Sequence, residues 1–514
     1  MIDQLKGFIS QFTKPASTNN SEIKKPGSET TATTTSVSSS SSSSEVSIFA
    51  QSWDYVRSAY LQTSDKKAEQ AERKLLSRVE CLKGLDENNS DTSSNSRGSV
   101  DGIVATLGDV DIGDGRYIHT LYLEKLTPNN NSNPKKYCQV QKTQQKGNTA
   151  QLITTADTQN QESGSGPSSS DNGGIRNLVI THGYANGLGN FYRNYDALSS
   201  HLTNWRIFAI DWLGMGRSSR PPFLPMDEPT EQQRITESEN FFVESLEDWR
   251  KRMGLEKMTL LGHSLGGYLC AVYSLRYPQR VDKLIMVSPA GIPEPDYALL
   301  ERIKQGKFKT PQQQKDDEEA ERLSQNPNDK PNNRQAEYDI NKETKGIPHT
   351  RRLVLSTVMY LWDKNYSPQS VVRVCGPFGI NVVNKFVSRF TWLDHYNQAD
   401  LANYMYHIAA LRGSGEYAIG TLFMPGLFAR SPLIRRFGDL KVPTTFMYGA
   451  HDWMDYKAGQ EARRSMSPDI QTKLFRVPNA GHNIHMENPG EFNRIVINEL
   501  KDKKEDASLE SSLS

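Results

Sequence analysis

Cysteine, long apolar runs and net charge are all scarce in this chain, and each scarcity narrows what it can be. Only four cysteines occur in 514 residues (Cys81, Cys138, Cys270 and Cys375), scattered without metal-ligand spacing. That pattern offers no disulfide framework and no thiolate metal site, and it suits a reducing compartment. No apolar run reaches the ~18 residues that a membrane-spanning helix requires; the longest candidate, Leu353 to Trp362, has the length of a core or lid helix. Any membrane contact is therefore expected to be peripheral. Basic and acidic residues nearly cancel, 61 against 60, for a net charge of +1, which gives no bulk attraction to nucleic acid.

The polarity that is present lies in tracts that cannot bury enough apolar surface to offset their ordering entropy. Residues 1–45 read as a disordered tail, with an unbroken serine run from Ser38 to Ser44. At its start Ile2, Leu5, Phe8, Ile9 and Phe12 share one helical face, as in a membrane-surface or targeting helix. Residues 46–85 read as N-terminal helices: Phe49, Trp53, Val56 and Tyr60 fall on one face, and the charged run Lys66 to Leu76 follows. A linker is expected at 86–102 and a charged tail at 502–514, with polar insertions at 127–174 and 301–345. What remains is one domain of about 300 to 350 residues, with its core expected at 103–295 and 439–501 and split by a lid at 296–438.

Within the core, Ile103 to Leu126 alternates around Asp114-Gly115, which predicts a hairpin. Buried strands are expected at Leu178 to Gly183, Arg206 to Asp211, Met258 to Leu261 and Lys283 to Ser288, with a helix from Thr236 to Arg252. The alternation lapses between Pro293 and Gly438, where lid helices such as Arg351 to Trp362 and Leu401 to Ala410 are expected. It resumes with strands at Val442 to Tyr448 and Thr472 to Val477 and a helix at Phe492 to Leu500. Strand–helix alternation implies a mostly parallel sheet covered on both faces, so the fold class is α/β, with a helical lid inserted before the last two strands.

The chemistry centres on Gly262-His263-Ser264-Leu265-Gly266. An apolar strand enters this Gly-x-Ser-x-Gly and a helix-forming run leaves it, the pattern of a turn that presents one hydroxyl from strained backbone. Serine is a weak nucleophile and needs a base within hydrogen-bond reach. The last two predicted strands exit into Gly449-Ala450-His451-Asp452-Trp453-Met454-Asp455 and Asn479-Ala480-Gly481-His482. Ser264, Asp452 and His482 are therefore the expected triad, with Asp455 the alternative acid and His451 and His485 spectators. The backbone N–H groups of Leu265 and Tyr184 are the expected oxyanion donors, with Ala185 the fallback. Arg217, Arg220, Arg435 and Arg436 are candidates to meet a lipid phosphate, though a solvated or structural role competes. No cofactor and no metal is expected.

Taken with His182-Gly183-Tyr184, Asp211 to Pro221, Phe242 to Arg250, Arg276 to Val281 and Gly376-Pro377-Phe378-Gly379, the chain resembles the α/β-hydrolase superfamily. Within it, the likeness is to the lysophospholipase and lipid-droplet-adaptor branch that includes the fungal cardiolipin-specific deacylases. The adaptor members carry asparagine at the nucleophile position, whereas this chain keeps Ser264. Some branch members carry the triad acid at the Asp455 position. The branch also has a His-x4-Asp motif linked to lysophospholipid acyltransfer; here it reads His482 to Glu487, with glutamate replacing aspartate.

The resemblance implies a serine-dependent deacylase of phospholipids such as cardiolipin, working at a membrane surface, in mitochondria or else in the cytosol or on lipid droplets. The alternatives are a lysophospholipid acyltransferase using the same site and a non-catalytic lipid-surface scaffold. An epoxide hydrolase or dehalogenase needs a carboxylate at the elbow, which Ser264 is not.

Overall fold

Strand runs that are apolar on both faces can only be satisfied by layers on both sides. In a computed structural model of the chain, the residues described are 60–83, 99–100, 102–126, 139–140, 151–153, 174–295, 297, 360–362 and 366–501. The expectations for 1–45, Phe49 to Val56, 301–345 and 502–514 fall outside these residues, as do those for most of 86–102, 127–174 and the Arg351 to Trp362 helix.

The core strands are β1 (Ile103–Gly113), β2 (Arg116–Lys125), β3 (Arg176–Thr181), β4 (Trp205–Ile210), β5 (Met258–His263), β6 (Val281–Val287), β7 (Thr444–Gly449) and β8 (Thr472–Val477). They lie side by side in the order β8-β7-β6-β5-β3-β4-β2-β1. From β8 to β4 every pairing is parallel, and β2 joins β4 antiparallel. The β1–β2 hairpin turns at Asp114 and Gly115 with φ of 55° and 69°. A two-residue turn needs positive φ at both central positions to match the strand twist, which is why an Asp-Gly pair sits there.

The principal helices are α1 (Asp65–Leu76), α2 (Tyr195–His201), α3 (Glu231–Arg252), α4 (Leu265–Arg276), α5 (Pro368–Val374), α6 (Gly379–Val387), α7 (His395–Ala410), α8 (Ala418–Leu422), α9 (Tyr456–Ser465), α10 (Ile484–Glu487) and α11 (Pro489–Leu500). Alternate strand residues feed two separate cores. Phe208, Leu260 and Met286 pack with Phe242, Leu246 and Trp249 of α3 and with α4. Ile207, Leu261 and Ile285 pack with Leu75 of α1, Leu198 of α2, Leu401 of α7 and Phe492 of α11. Burial at about 25 cal/mol per Å² of apolar surface on both faces is what holds the sheet.

Several helices begin earlier than apolar periodicity indicates, because polar caps set their first turns. Thr230 accepts from the Gln233 N–H at 3.2 Å and starts α3 at Glu231 rather than Thr236. Asp394 accepts from the Asn397 N–H at 2.9 Å and starts α7 at His395 rather than Leu401. The Glu244 and Glu247 carboxylates then tie α3 to α4, reaching Arg276 at 2.8 Å and the Tyr273 hydroxyl at 2.6 Å. That fastening grips the last turn of α4, the opposite end of the helix from Ser264.

Between β6 and β7 come α5 to α8, the described part of the lid. Helix α7 reaches into the core, where the Tyr404 hydroxyl accepts from the Gly189 N–H at 3.2 Å. It also grips the N-terminal helix: Lys74 and Arg78 both pair with Asp400, and Thr63 bonds His407 at 2.9 Å. Among the described residues no helix is long and apolar enough to cross a membrane.

Candidate active site

At the end of β5 the chain reverses at Ser264, whose φ of 54° and ψ of −115° put a non-glycine residue in the left-handed half of backbone space. Such strain persists only where the surroundings over-determine it, and here they do. The Ser264 N–H donates to the Val287 carbonyl at 2.9 Å and its own carbonyl accepts from Ala290 at 3.1 Å. The flanking glycines are required by contact. A Cβ on Gly262 would lie 2.4 Å from the Gly266 carbonyl oxygen, and one on Gly266 would lie 2.6 Å from that of His182. Real side chains do not approach so closely, so only glycine lets strand, turn and α4 converge.

The turn aims the Ser264 Oγ at His482, with Nε2 at 3.1 Å, and the His482 Nδ1 lies 3.1 Å from Asp452 Oδ1. A carboxylate only accepts, so Nδ1 carries the ring hydrogen and Nε2 is left to accept the serine hydroxyl. Asp452 is held by the Met454 N–H at 3.0 Å, and its side chain is buried. Both groups come from loops at the carboxyl ends of the adjacent parallel strands β7 and β8, and the shared sheet edge brings His482 to Ser264, 218 positions away in sequence. Asp455 is engaged elsewhere, its Oδ1 accepting from the Lys457 N–H at 2.8 Å and capping α9.

The remaining histidines divide by partner. His182 is buried between two backbone groups: the Trp212 N–H donates to Nε2 at 3.1 Å, and Nδ1 donates to the Gly183 carbonyl at 2.7 Å. Burial holds its pKa below the ordinary value, and the neutral ring pins the loop that follows β3. His485 is buried and stacked on Phe191 with centroids 4.3 Å apart. Burial drives its pKa well down, so it packs as a flat apolar plate. His451 is exposed.

The loop after β3 runs against the turn. A Cβ on Gly183 would meet Ser264 Cβ at 3.0 Å, so the loop that continues into Tyr184 and Ala185, the latter at φ 58°, starts in contact with the elbow. Leu265 opens α4, and the first N–H groups of a helix have no intrahelical acceptor. The two expected oxyanion donors thus belong to the helix start that follows Ser264 and to the loop that follows β3.

The four arginines considered for phosphate binding have protein partners. Arg217 pairs with Glu72 at 2.5 Å, Arg436 with Glu239 at 2.6 Å, and Arg435 with Glu294 at 2.5 Å. Arg220 donates to the carbonyls of Arg412, Gly216 and Ile408. Their observed role is to fasten loops. Of the aromatics between β6 and β7, Phe390, Phe423 and Phe428 are buried and Phe378 is 70% exposed.

Among the described residues one group has metal-ligand proximity: Glu72, His119 and Asp211, all buried. The Arg217 guanidinium already sits there, 2.5 Å from Glu72 Oε2 and 3.2 Å from His119 Nε2, and supplies the positive charge a cation would bring. We assign this cluster to structure.

Of two further groups at the site, sequence reading missed the role of His263 and named Glu487 without its contacts. The His263 Nε2 lies 3.0 Å from the His482 carbonyl, and the Glu487 carboxylate accepts from the N–H groups of Gly481 at 2.6 Å and Asn483 at 2.9 Å. The neighbourhood of His263 to Ser264 was a signal for the first. For the second, the spacing to His482 pointed to the residue but not to what it holds.

A strained serine between glycines at the end of a buried strand, in an eight-strand mostly parallel core sheet, defines a class. The chain belongs to the alpha/beta hydrolase fold family, whose sequence profile matches residues 176–489. Its named relatives handle lipids. It is 36% identical over 333 residues to a 1-acylglycerol-3-phosphate O-acyltransferase of Arabidopsis thaliana, covering 63% of this chain and 66% of that one. It is 32% identical over 324 residues to the Homo sapiens 1-acylglycerol-3-phosphate O-acyltransferase ABHD5, covering 62% and 76%. A Mus musculus (lyso)-N-acylphosphatidylethanolamine lipase is 31% identical over 323 residues, covering 62% and 77%. The chain thus spans about two thirds to three quarters of these relatives.

Proposed function

We propose that this protein is a serine-dependent acyl hydrolase of phospholipids, cardiolipin among them, acting through an acyl-enzyme on Ser264. The observation that carries the reading is the relay from Ser264 Oγ to His482 Nε2 and from Nδ1 to Asp452, each step 3.1 Å. In the first half-reaction Ser264 Oγ bonds to the ester carbonyl carbon while its proton passes to Nε2. The Leu265 and Tyr184 N–H groups face the resulting oxyanion. Collapse breaks the ester bond, and the departing lysolipid oxygen takes the Nε2 proton. Water then adds to the acyl-enzyme, gives its proton to His482, and the fatty acid leaves as Ser264 regains its hydrogen. Because the substrate sits in a bilayer, the enzyme works as a peripheral protein at that surface; the resemblance to the fungal deacylases makes mitochondria the first compartment to test by fractionation.

A second reading is favoured by the names of the Arabidopsis and human relatives: a lysophospholipid hydroxyl replaces water and the product is a transferred acyl chain. One experiment addresses both. One portion of the purified chain is exposed to a fluorophosphonate probe, and a separate unlabelled portion is incubated with a mixed-lipid extract, with and without added lysophospholipid. Labelling that disappears in Ser264→Ala, with fatty acid released from phospholipid, supports the hydrolase. Labelling with diacyl product only when the acceptor is present supports the transferase. No labelling of the intact protein sinks both and leaves the scaffold.

A further inference from the structure

Glu487 closes the short helix α10, and its side chain turns back toward the loop it has just left. Oε2 accepts from the Gly481 N–H at 2.6 Å and Oε1 from the Asn483 N–H at 2.9 Å. These two donors flank His482. A carboxylate accepting two backbone N–H groups is doubly charge-assisted, and the pair fixes an angle as well as a distance. The close approach depends on Gly481, where a Cβ would lie 3.0 Å from Glu487 Oε2.

The third backbone group of the same loop is held from the other side. The carbonyl of His482 lies 3.0 Å from the His263 Nε2. A carbonyl only accepts, so His263 carries its hydrogen on Nε2. Burial, with the neighbouring His482 adding to it, pushes the His263 pKa down to about 3, which keeps the ring neutral with its one hydrogen committed there. His263 precedes Ser264 in the strained turn, so the elbow that presents the hydroxyl also carries an anchor for the base. Three consecutive residues of the base's loop are thus gripped by side chains from two elements.

We propose that Glu487 and His263 are positioning residues that set His482 against Ser264, and that the His-x4-Glu spacing is a backbone clamp on the base rather than an acid for acyl transfer. The inference rests on the reading of Ser264 and His482 as nucleophile and base. It makes a specific claim about chemistry: loosening the clamp slows every step that uses His482 and leaves the choice between water and a lysophospholipid acceptor where it was.

The test uses the full chain and four variants, Glu487→Ala, Glu487→Asp, His263→Leu and His263→Gln. Read-outs are the fluorophosphonate labelling rate, kcat and KM on a soluble acyl ester, the ratio of transfer to hydrolysis with added lysophospholipid, and thermal unfolding. Displacement of a catalytic group by ~1 Å costs on the order of 10²-fold. Glu487→Ala and His263→Leu are therefore expected to slow labelling and kcat by about that factor, with KM and the transfer ratio unchanged. Glu487→Asp, which keeps a carboxylate on a shorter arm, and His263→Gln, whose Nε2 keeps a donor, are expected to recover much of the rate. These milder variants carry the test should the larger truncations not fold.

Wild-type labelling rates in folded Glu487→Ala and His263→Leu would overturn the clamp. Loss of acyl transfer in Glu487→Ala with hydrolysis and labelling intact would overturn it too, and would place the acid at the acceptor instead. An intact protein that does not label defeats the acyl-enzyme reading and the clamp's catalytic role with it; a labelling wild type with unaffected variants defeats the clamp alone.

Discussion

Two histidines in this molecule are each bonded to carboxylates, and they do opposite things. His119, on β2, lies 2.6 Å from Asp109 through Nδ1 and 2.9 Å from Glu72 through Nε2. Each ring nitrogen has a carboxylate beside it, with the Arg217 guanidinium also 3.2 Å from Nε2, and the two carboxylates favour the ring as a buried cation. Burial alone would disfavour that charge, but Glu72, opposed in part by Arg217, and the hydrogen bonds to Asp109 and Glu72 lift the pKa to about 10. His482 has a carboxylate on one nitrogen only, and the other faces a hydroxyl. That single change of partner, from carboxylate to serine, turns a structural cation into a group with a lone pair free to take a proton. Residue type does not distinguish a base from a buried ion; the second partner does.

The sharpest way to break this comparison is at the serine relay. Ser264→Ala and His482→Ala are each expected to lower acyl-ester turnover by about ten-thousand-fold or more, as for triads generally, with thermal unfolding within a few degrees of wild type. The check is turnover and probe labelling beside a melting curve. Near-normal turnover in His482→Ala would remove the contrast with His119 altogether.

The buried network should respond the other way, in stability before chemistry. Burial on its own would raise the Glu72 carboxyl, but the His119 and Arg217 charges overcome it and hold the pKa down at about 2. Removing the charge with Glu72→Gln leaves His119 and Arg217 facing each other in a dry site, at an expected cost of about 3–5 kcal/mol, read by denaturant unfolding. The pH dependence has a definite sign. His119 titrates near 10 when folded against an ordinary 6.5, so its contribution is complete below 6.5 and fades as pH rises through 10. Glu72 titrates near 2 against 4.5, so its contribution is complete above 4.5 and is lost as pH falls through 2. In His119→Gln the melting temperature should lose its alkaline decline while the pH profile of probe labelling keeps its wild-type shape. A labelling profile that moves with His119 would mean the two histidines are one system.

The difference between these regions also explains what could be read from sequence. The proposed catalytic residues are legible because parallel-sheet topology puts them at strand ends in a fixed chain order, and each comes with a local mark, glycines around Ser264 and a turn before Asp452 and His482. The Glu72–His119–Arg217 network has no such mark. Its members lie on α1, on β2 and in the loop after β4, and only the folded sheet brings residues 47 and 145 positions apart into contact. The same holds for the clamp: the distance from His482 to Glu487 was readable, but not that the carboxylate would face the backbone. Helix starts were misplaced wherever a polar cap, rather than an apolar residue, set the first turn, as at Thr230 and Asp394.

The smallest effect separates the two neighbouring acids. Asp452 and Asp455 both follow β7, three residues apart, and sequence alone left them competing. In the structure Asp452 bonds the imidazole while Asp455 bonds the Lys457 N–H at the start of α9. Losing an N-cap costs about 1 kcal/mol, because a backbone donor at the helix start loses its acceptor. Asp455→Ala is therefore expected to lower unfolding stability by about that amount and to leave turnover within ~2-fold, the reach of a helix that only borders the site. Asp452→Asn should do the reverse, holding stability while turnover drops by about ten-thousand-fold, because an amide presents a donor where the imidazole needs an acceptor and the ring settles in the wrong tautomer. Measuring both variants by melting and by kcat decides the assignment. Should Asp455→Ala lose turnover while Asp452→Asn keeps it, the loop must rearrange during catalysis and the acid has been named from the wrong state.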